Sequence, residues 1–339
     1  MPSQTLGAGI FRNEVQPPGR TVCQAYWLMA VPPSAPIVAQ NPDLRPGNGL
    51  GIAMMLLGFF LFSAADTIAK LMTESLHPVQ IVWTRQLGLL VPVLGLLLIR
   101  GRGILRTKAP VLQVSRGVVA VGSAVCFVMA IRHVPLADAV AVSFVAPFIV
   151  TILGALMLRE TVGIRRWAAV SIGFVGTMIV IRPGLGVMHP AVFLVIFAAS
   201  MFAVRQILSR MLAGADGLAT TVAYTSITSS LILTLPLPFF WQWPDSPRIW
   251  MMLVAMAAIA GCAEFCIIKA LDIAQAVVLA PLMYSLILWG TFYGFVVFGD
   301  LPDGFTWLGT AIIIATGVYT INRERLALKA ARRNATTSA

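Results

Sequence analysis

The stretch FVAPFIVTILGALMLRE, residues 144–160, is apolar over the length of a helix, yet it contains Pro147 and ends on an arginine–glutamate pair. Proline removes a backbone hydrogen bond and kinks a helix, and a membrane tolerates this where neighbouring helices or a cavity satisfy the freed carbonyl group. A second apolar segment, residues 275–298, contains Pro281, again after an alanine. We expect Pro147 and Pro281 to bend helices that line a pathway; a packing kink without function is the alternative.

The composition indicates a membrane protein. Of the 339 residues, 58% are hydrophobic and 11% are charged, whereas soluble domains contain about 25% charged residues. The net charge of +11 does not indicate nucleic-acid binding, because the basic residues form short clusters between apolar runs. The four cysteines fit neither a disulfide framework nor a metal site, and we expect no metal and no cofactor.

Apolar runs long enough to span a bilayer, roughly 20 residues each, recur from Leu50 onward. The sequence predicts an all-α integral membrane protein with ten transmembrane helices, at residues 50–72, 78–99, 109–132, 136–158, 165–182, 190–212, 218–241, 249–271, 275–298 and 304–322. The linkers are short and polar, so no room remains for a soluble catalytic domain.

Basic residues cluster in alternate loops, between spans two and three, between spans four and five, and after span ten. The positive-inside rule therefore predicts that both termini are cytoplasmic, in a bacterial inner membrane. Residues 1–48 are rich in Pro, Gln, Asn and Ser and are predicted to be a disordered cytoplasmic tail, with Met29 as an alternative start. Residues 324–339 are predicted to be a basic cytoplasmic tail.

An internal repeat is visible at a constant offset of 140 residues. Its most informative match places an acid on an acid, Glu160 on Asp300, each at the end of the fourth span of its half. The halves, residues 49–183 and 189–323, each contain five predicted spans, an odd number, so the second half must enter the membrane inverted. Inverted repeats are typical of transporters that alternate between outward-open and inward-open states.

With this repeat and the segment VPLADAVAVSFVAPFIVTILGALMLRETVGIRRWAAVSIGFVGTMIVIRPG, residues 134–184, the chain resembles the drug/metabolite transporter superfamily, in the bacterial type with two EamA domains. The resemblance covers residues 50–323, and the second half departs more, with Gln275 in place of a proline. It is similar to a branch that includes riboflavin importers, S-adenosylmethionine importers and an exporter of opine-type metallophores. The resemblance implies the fold and a transport function but leaves the cargo open. Family positions fall on Pro135, Ala137, Pro147, Leu156, Glu160, Gly173 and Gly176.

Ionisable residues within spans are functional candidates, because a charge at the bilayer centre costs on the order of 2.5–3.5 kcal/mol. Arg85 lies in the second span beside Trp83 and Gln86. We predict that its guanidinium group anchors a carboxylate or ring carbonyl of the substrate. Snorkelling of the side chain to the outer interface is the alternative.

Two carboxylates are candidates for proton coupling. Glu264 is the deepest acid of the second half and is predicted to exchange a proton during transport; a pair with Arg116 or Arg205 is the alternative. Asp66 precedes Lys70 by four residues, the favourable order for an intrahelical ion pair. That pair is our prediction, with Asp66 as the second candidate proton carrier. Arg116 is expected to have a structural role.

Three residues of the ninth span, Tyr284, Ser285 and Trp289, fall close together on a helical wheel. They are predicted to form a surface on which a flat ring stacks while hydroxyl groups orient it. An aromatic belt at the membrane interface is the alternative. The histidines are predicted to lie at external loops, as interface residues rather than metal ligands: His77, His133 and His189.

These features predict a secondary transporter of a small polar or aromatic metabolite, with riboflavin uptake as the most specific hypothesis. Import of zwitterions such as S-adenosylmethionine, and export of amino-acid-like compounds or drugs, stay open. An intramembrane enzyme would need clustered histidines, a GxGD pair or a Ser/His dyad within the spans, and the sequence displays none. The expected partners are a small-molecule substrate and the lipid bilayer, without nucleic acid, and a homodimer is left open.

Overall fold

The computed structural model describes residues 48–158, 163–182, 189–212, 216–274 and 276–337, and every element in these ranges is helical. Two 3-10 segments, Arg102–Leu105 and Ala280–Tyr284, and one π-helical segment, Gly294–Phe298, accompany the α-helices. The α-helices are α1 (Asn48–Met72), α2 (Pro78–Arg100), α3 (Pro110–Ile131), α4 (Leu136–Ser143), α5 (Ala146–Met157), α6 (Ile164–Ile181), α7 (Val192–Leu212), α8 (Leu218–Thr234), α9 (Leu237–Phe240), α10 (Pro247–Ile273), α11 (Ala276–Leu279), α12 (Ser285–Tyr293) and α13 (Gly304–Thr337).

The helices confirm an all-α membrane fold. Among the described residues, seven helical segments are long and apolar enough to cross a bilayer, and α6 and α13 each contribute a shorter apolar stretch. The remaining predicted span corresponds to α8, which has 17 residues and eight serines and threonines. Several of these hydroxyl groups donate to the carbonyl oxygen four residues earlier, as Thr225 does to Thr221 at 2.8 Å. Such bonds let a hydroxyl-rich helix lie within an apolar bundle.

The fourth and ninth predicted spans are each divided at their proline. The helix α4 ends at Ser143 and α5 begins at Ala146, so Pro147 occupies the first turn of α5. Pro281 occupies the first turn of the 3-10 segment that precedes α12. The first turn of a helix has no intrahelical use for the N–H group that proline lacks. Each proline therefore starts a new helical segment rather than bending a continuous one.

Eight helical units form a closed ring. Successive neighbours in the ring are α1, α10, α2, α8, α3, α7, the broken unit α4–α5, and the broken unit α11–α12, which returns to α1. The helices α6 and α13 pack against each other and against the broken units, outside the ring. Side chains from ring helices that are not neighbours can therefore meet only across the ring interior.

The packing repeats between the two halves of the chain. The pair α1–α10 has its counterpart in α7–α3, the pair α2–α10 in α8–α3, and the pair α1–α12 in α7–α5. The pairs α2–α8 and α6–α13 are their own counterparts, because each joins equivalent helices of the two halves. The ring is thus built from two copies of one five-helix unit, which is the arrangement that the repeat in the sequence predicts.

Glycines allow equivalent helices to cross closely. A side chain on Gly88 of α2 would overlap the carbonyl oxygen of Ala257 of α10. At the positions 140 residues away, Gly117 of α3 lies against Thr228 of α8, with 2.7 Å between a Cβ built on Gly117 and the Thr228 Cβ. Each copy of this crossing therefore contains a glycine, which lies on α2 in one copy and on α3 in the other.

The last helix is longer than predicted. The span was expected at residues 304–322, whereas α13 continues to Thr337. Residues 323–333, RERLALKAARR, are almost all strong helix formers, so the basic tail extends the helix beyond its apolar part. The predicted N-terminal tail lies, but for its last residue, outside the described residues, as do Met29, Arg159, Glu160 and Gln275.

Candidate functional site

An ion pair between the first two helices lies in the ring interior. The Arg85 Nη1 donates to Asp66 Oδ1 at 2.5 Å, and the Arg85 guanidinium lies over the Phe62 ring at 4.5 Å. The Arg85 and Asp66 side chains are only 12% and 7% exposed. Because α10 separates α1 from α2 in the ring, this pair reaches across the interior rather than along a helix interface.

The predicted intrahelical pair between Asp66 and Lys70 is wrong. Lys70 instead contacts Asp300 at 3.6 Å and donates to the carbonyl oxygen of Val134 at 3.2 Å. The spacing of four residues permits an intrahelical pair, but each side chain has a partner elsewhere in the fold, Asp66 on α2 and Lys70 in two connecting segments. Asp66 meets a guanidinium that can donate several hydrogen bonds, and Lys70 gains two oxygen acceptors at once.

Trp83 lies away from this ion pair. Its Nε1 donates to Thr234 Oγ1 at 2.9 Å, and its ring meets Trp241 edge to face with centroids 6.2 Å apart. Both partners lie at the end of α8 and just after α9. The structure thus brings Arg85 together with Asp66, while Trp83 joins an aromatic cluster at the end of the bundle. Gln86 is half-buried.

The predicted residues of the ninth span divide into two environments. Trp289 meets Phe60 of α1 edge to face with centroids 5.1 Å apart. The Trp289 Nε1 and the Ser285 Oγ, one turn apart on α12, are both buried without a hydrogen-bond partner among the described residues. Tyr284 lies in the preceding 3-10 segment and stacks on Phe144 with centroids 5.1 Å apart. Two buried donors are therefore open for a ligand or water beside α1.

A second group of charges occupies the other end of the ring interior. Arg116 of α3 donates from Nε to Ser209 Oγ at 2.8 Å and from Nη1 to Thr225 Oγ1. Glu264 of α10 interacts electrostatically with both Arg116 and Arg205 of α7. Since α7 and α10 lie on opposite sides of the ring, these charges face each other across the interior. Sequence reasoning treated Arg116 as structural and missed its hydroxyl partners, which the serines and threonines of α8 could have signalled.

Side chains from both halves bridge one end of the bundle, here called face A, which carries the loop 73–77 between α1 and α2. Besides Lys70 and Asp300, Thr306 Oγ1 donates to Asp138 Oδ1 at 3.3 Å, and Arg182 pairs with Asp303. The backbone N–H of Thr306 and the nearby Arg182 lower the pKa of the Asp303 carboxyl group, although burial acts in the opposite direction.

The opposite end, face B, carries the loop 101–109 and is bridged around Asp216. This carboxylate accepts hydrogen bonds from Thr107 Oγ1, from the backbone N–H of Lys108 at 3.2 Å and from Gln113 Nε2 at 2.8 Å. Burial raises the pKa of Asp216, but these hydrogen bonds outweigh it, so that the pKa lies below its usual value. Both ends of the ring are therefore held by contacts between the two repeats.

The three histidines all lie at face A. His133 and His189, which belong to different halves, stack with ring centroids 4.8 Å apart, and His77 stacks on Phe240 at 4.3 Å. Among the described residues, no group of three or more His, Cys, Asp or Glu side chains could hold a metal ion.

Comparisons with known proteins agree on one family. The model of the EamA-like transporter family matches residues 49–182 and again residues 189–323. An S-adenosylmethionine uptake transporter of Rickettsia conorii is 24% identical over 82% of this chain and 94% of the relative. A riboflavin transporter of Vibrio cholerae is 31% identical over 55% of this chain and 62% of the relative. A pseudopaline exporter of Pseudomonas aeruginosa is 26% identical over 78% of this chain and 93% of the relative. One solved crystal structure has the same fold, with a TM-score of 0.58 at 18% identity, covering 82% of this chain and 99% of that one.

Proposed function

Since this chain belongs to the EamA-like transporter family, we propose that it moves a small metabolite across the bacterial inner membrane by alternating access, with riboflavin as its cargo. The observation that carries the proposal is the closed ring of helices from two repeats, with the Asp66–Arg85 ion pair in its interior. A buried ion pair costs desolvation free energy that packed apolar side chains would not, and membrane proteins keep such charges where cargo or ions pass.

The cargo reaches the interior between the two ends of the bundle. Contacts between the repeats hold both ends, such as Lys70–Asp300 at face A and Thr107–Asp216 at face B. Alternating access requires one set of contacts to open while the other stays closed. The clusters of Arg and Lys in the face B loops favour face B as the cytoplasmic side, so both termini would be cytoplasmic.

Arg85 and α12 provide the contacts that fit a flavin. The guanidinium presents several N–H donors for ring carbonyl oxygens once its bond with Asp66 opens. The Trp289 ring offers a stacking surface, and its Nε1 and the Ser285 hydroxyl group are buried without a partner among the described residues. Protonation of Asp66 or Glu264 would couple uptake to the proton gradient, because a neutral Asp66 holds Arg85 less strongly.

A second candidate cargo is S-adenosylmethionine, which the named Rickettsia relative takes up. Glu264 would meet its positive charge. An exported amino-acid-like compound is the third candidate, because the Pseudomonas relative is named an exporter. No enzymatic role is proposed, since the family and these relatives are transporters.

Growth of a riboflavin-auxotrophic bacterium that lacks its own importer tests the proposal. At limiting external riboflavin, cells that express this protein should grow, and Arg85→Ala and Trp289→Ala should abolish the rescue. Trp250→Ala is the matched control, because Trp250 is exposed near face A, and it should rescue fully. Absence of rescue with confirmed membrane expression would reject riboflavin, and uptake of labelled S-adenosylmethionine into proteoliposomes would then decide between the alternatives.

A further inference from the structure

Among the side chains that the structure describes, the charges in the face B half of the ring interior do not balance. Arg116 and Arg205 carry two positive charges, and Glu264 is the carboxylate that interacts with both. A surplus charge in a site of low dielectric constant is costly unless an opposite charge compensates it.

Arg116 is fixed in position by hydroxyl groups. Its guanidinium donates to Ser209 and Thr225 and, at 3.4 Å, to the carbonyl oxygen of Thr221. The Ser209 hydroxyl group in turn donates to the carbonyl oxygen of Arg205 at 2.8 Å. Ser209 lies one helical turn after Arg205 on α7, so this hydroxyl group holds the Arg116 guanidinium against the helix that carries Arg205.

The Arg205 guanidinium has N–H donors without an acceptor among the described residues. It lies over the Phe202 ring at 4.8 Å. Within the part of the chain that the structure describes, it forms no side-chain hydrogen bond. A guanidinium carries five N–H donors in a planar fork, which matches the two oxygens of a carboxylate or phosphate group. An aromatic face satisfies the charge in part but accepts none of these hydrogen bonds in full.

We propose that Arg116 and Arg205 form an anion-binding site in the face B half of the ring, with a carboxylate or phosphate-type oxyanion as its ligand. Arg205 supplies the bidentate contact, and Arg116 supplies the second positive charge. Glu264 supplies one negative charge, so the net charge of the three side chains is +1. The site rests on the proposed function only in that the ring interior is the route of the cargo. Two sources of ligand share this chemistry: an anionic group on the cargo, and a free inorganic anion.

Thermal unfolding of the full-length protein in detergent tests binding without transport. Sodium phosphate and sodium acetate are titrated against a sodium chloride background of constant ionic strength, because chloride is not an oxyanion. The unfolding midpoint should rise and saturate with phosphate or acetate. In Arg205→Gln the apparent affinity should fall at least about tenfold, because a buried charge contact is lost. Arg205→Lys keeps the charge and should bind with intermediate affinity, whereas Arg102→Gln removes an exposed charge on face B and should bind normally.

An unfolding midpoint in the unaltered protein that does not respond to either anion would overturn the proposal. An equal response in Arg205→Gln and the unaltered protein would overturn it as well. If Arg205→Gln does not fold, the comparison of Arg205→Lys with Arg102→Gln decides, and equal affinities would reject a role for the Arg205 fork.

Uptake into proteoliposomes separates the two sources. Riboflavin is uncharged at neutral pH, so a free-anion site predicts that riboflavin uptake rises with added phosphate. A site for a group on the cargo predicts instead that riboflavin 5′-phosphate competes for binding in the unaltered protein and not in Arg205→Gln. Absence of riboflavin uptake together with saturable anion binding would reject the proposed cargo and retain the anion site.

Discussion

Removal of one partner of the Asp66–Arg85 pair should destabilise the protein far more than removal of a partner of Lys70–Asp300. The first pair is 2.5 Å long with both side chains almost buried, whereas the Asp300 side chain is 41% exposed at 3.6 Å from Lys70. Removing one partner of a buried ion pair lowers the free energy of unfolding by about 3–5 kcal/mol, because it leaves an uncompensated charge. Breaking an exposed pair costs about 0–1 kcal/mol.

The two single substitutions in the buried pair are expected to differ in how the loss of stability depends on pH. Asp66→Asn leaves a guanidinium that cannot lose its proton, so the full cost remains at every pH. Arg85→Gln leaves a carboxylate that can take up a proton, so its cost should be smaller at pH 5 than at pH 8. The double change, Asp66→Asn with Arg85→Gln, leaves no charge and can form a neutral hydrogen bond. It should recover much of the stability lost in Asp66→Asn.

Thermal unfolding in detergent at one fixed scan rate measures these differences. A change of 1 kcal/mol corresponds to roughly 1–2 °C for a chain of this size, because the entropy of unfolding grows with chain length, so Asp66→Asn should lower the unfolding midpoint by about 5 °C. Asp300→Asn is the matched control and should lower it by about 2 °C at most. Equal shifts for the two changes, or a double variant as unstable as the sum of its single changes, would refute the assignment of a buried, coupled pair.

Three further predictions concern a helix contact, a titrating group and a site residue. Gly309→Leu should separate α6 from α13 and lower the unfolding midpoint, because a Cβ on Gly309 would lie 2.5 Å from the carbonyl oxygen of Gly176; an unchanged midpoint would contradict this contact. Burial, with a smaller effect of Arg132, lowers the pKa of His77, so the unfolded chain binds the proton more tightly and stability should fall as the pH drops below about 6.5. His77→Asn keeps an acceptor for the N-terminus of α2 and should reduce that loss, unless another group causes it. Trp289→Phe keeps the ring and loses the Nε1 donor, so riboflavin uptake should show a higher KM with normal protein levels; an unchanged KM would exclude that donor as a ligand.

The sequence determined the class of fold and the boundaries of most helices. Apolar runs of membrane-spanning length specify helices without reference to their partners, because backbone groups in lipid must hydrogen-bond within the helix. The offset of 140 residues gave the repeat, and the pairing of helices in the ring follows it. The prolines at positions 147 and 281 marked the places where two spans divide. Helix α13 extends beyond its predicted end, because the helix propensity of the residues, rather than their hydropathy, determines whether a helix forms outside the membrane.

Only the tertiary structure decided which charges meet. By spacing alone Asp66 could pair with Lys70, and the ring instead brings Arg85 to Asp66 and Asp300 to Lys70. In the same way it sets Arg116 beside Ser209 and Thr225, on helices far away in the sequence. Local spacing fixes only which side chains can reach each other along one helix. The stronger partner is chosen by helix packing, since an ion pair gains most where several donors and acceptors converge away from water.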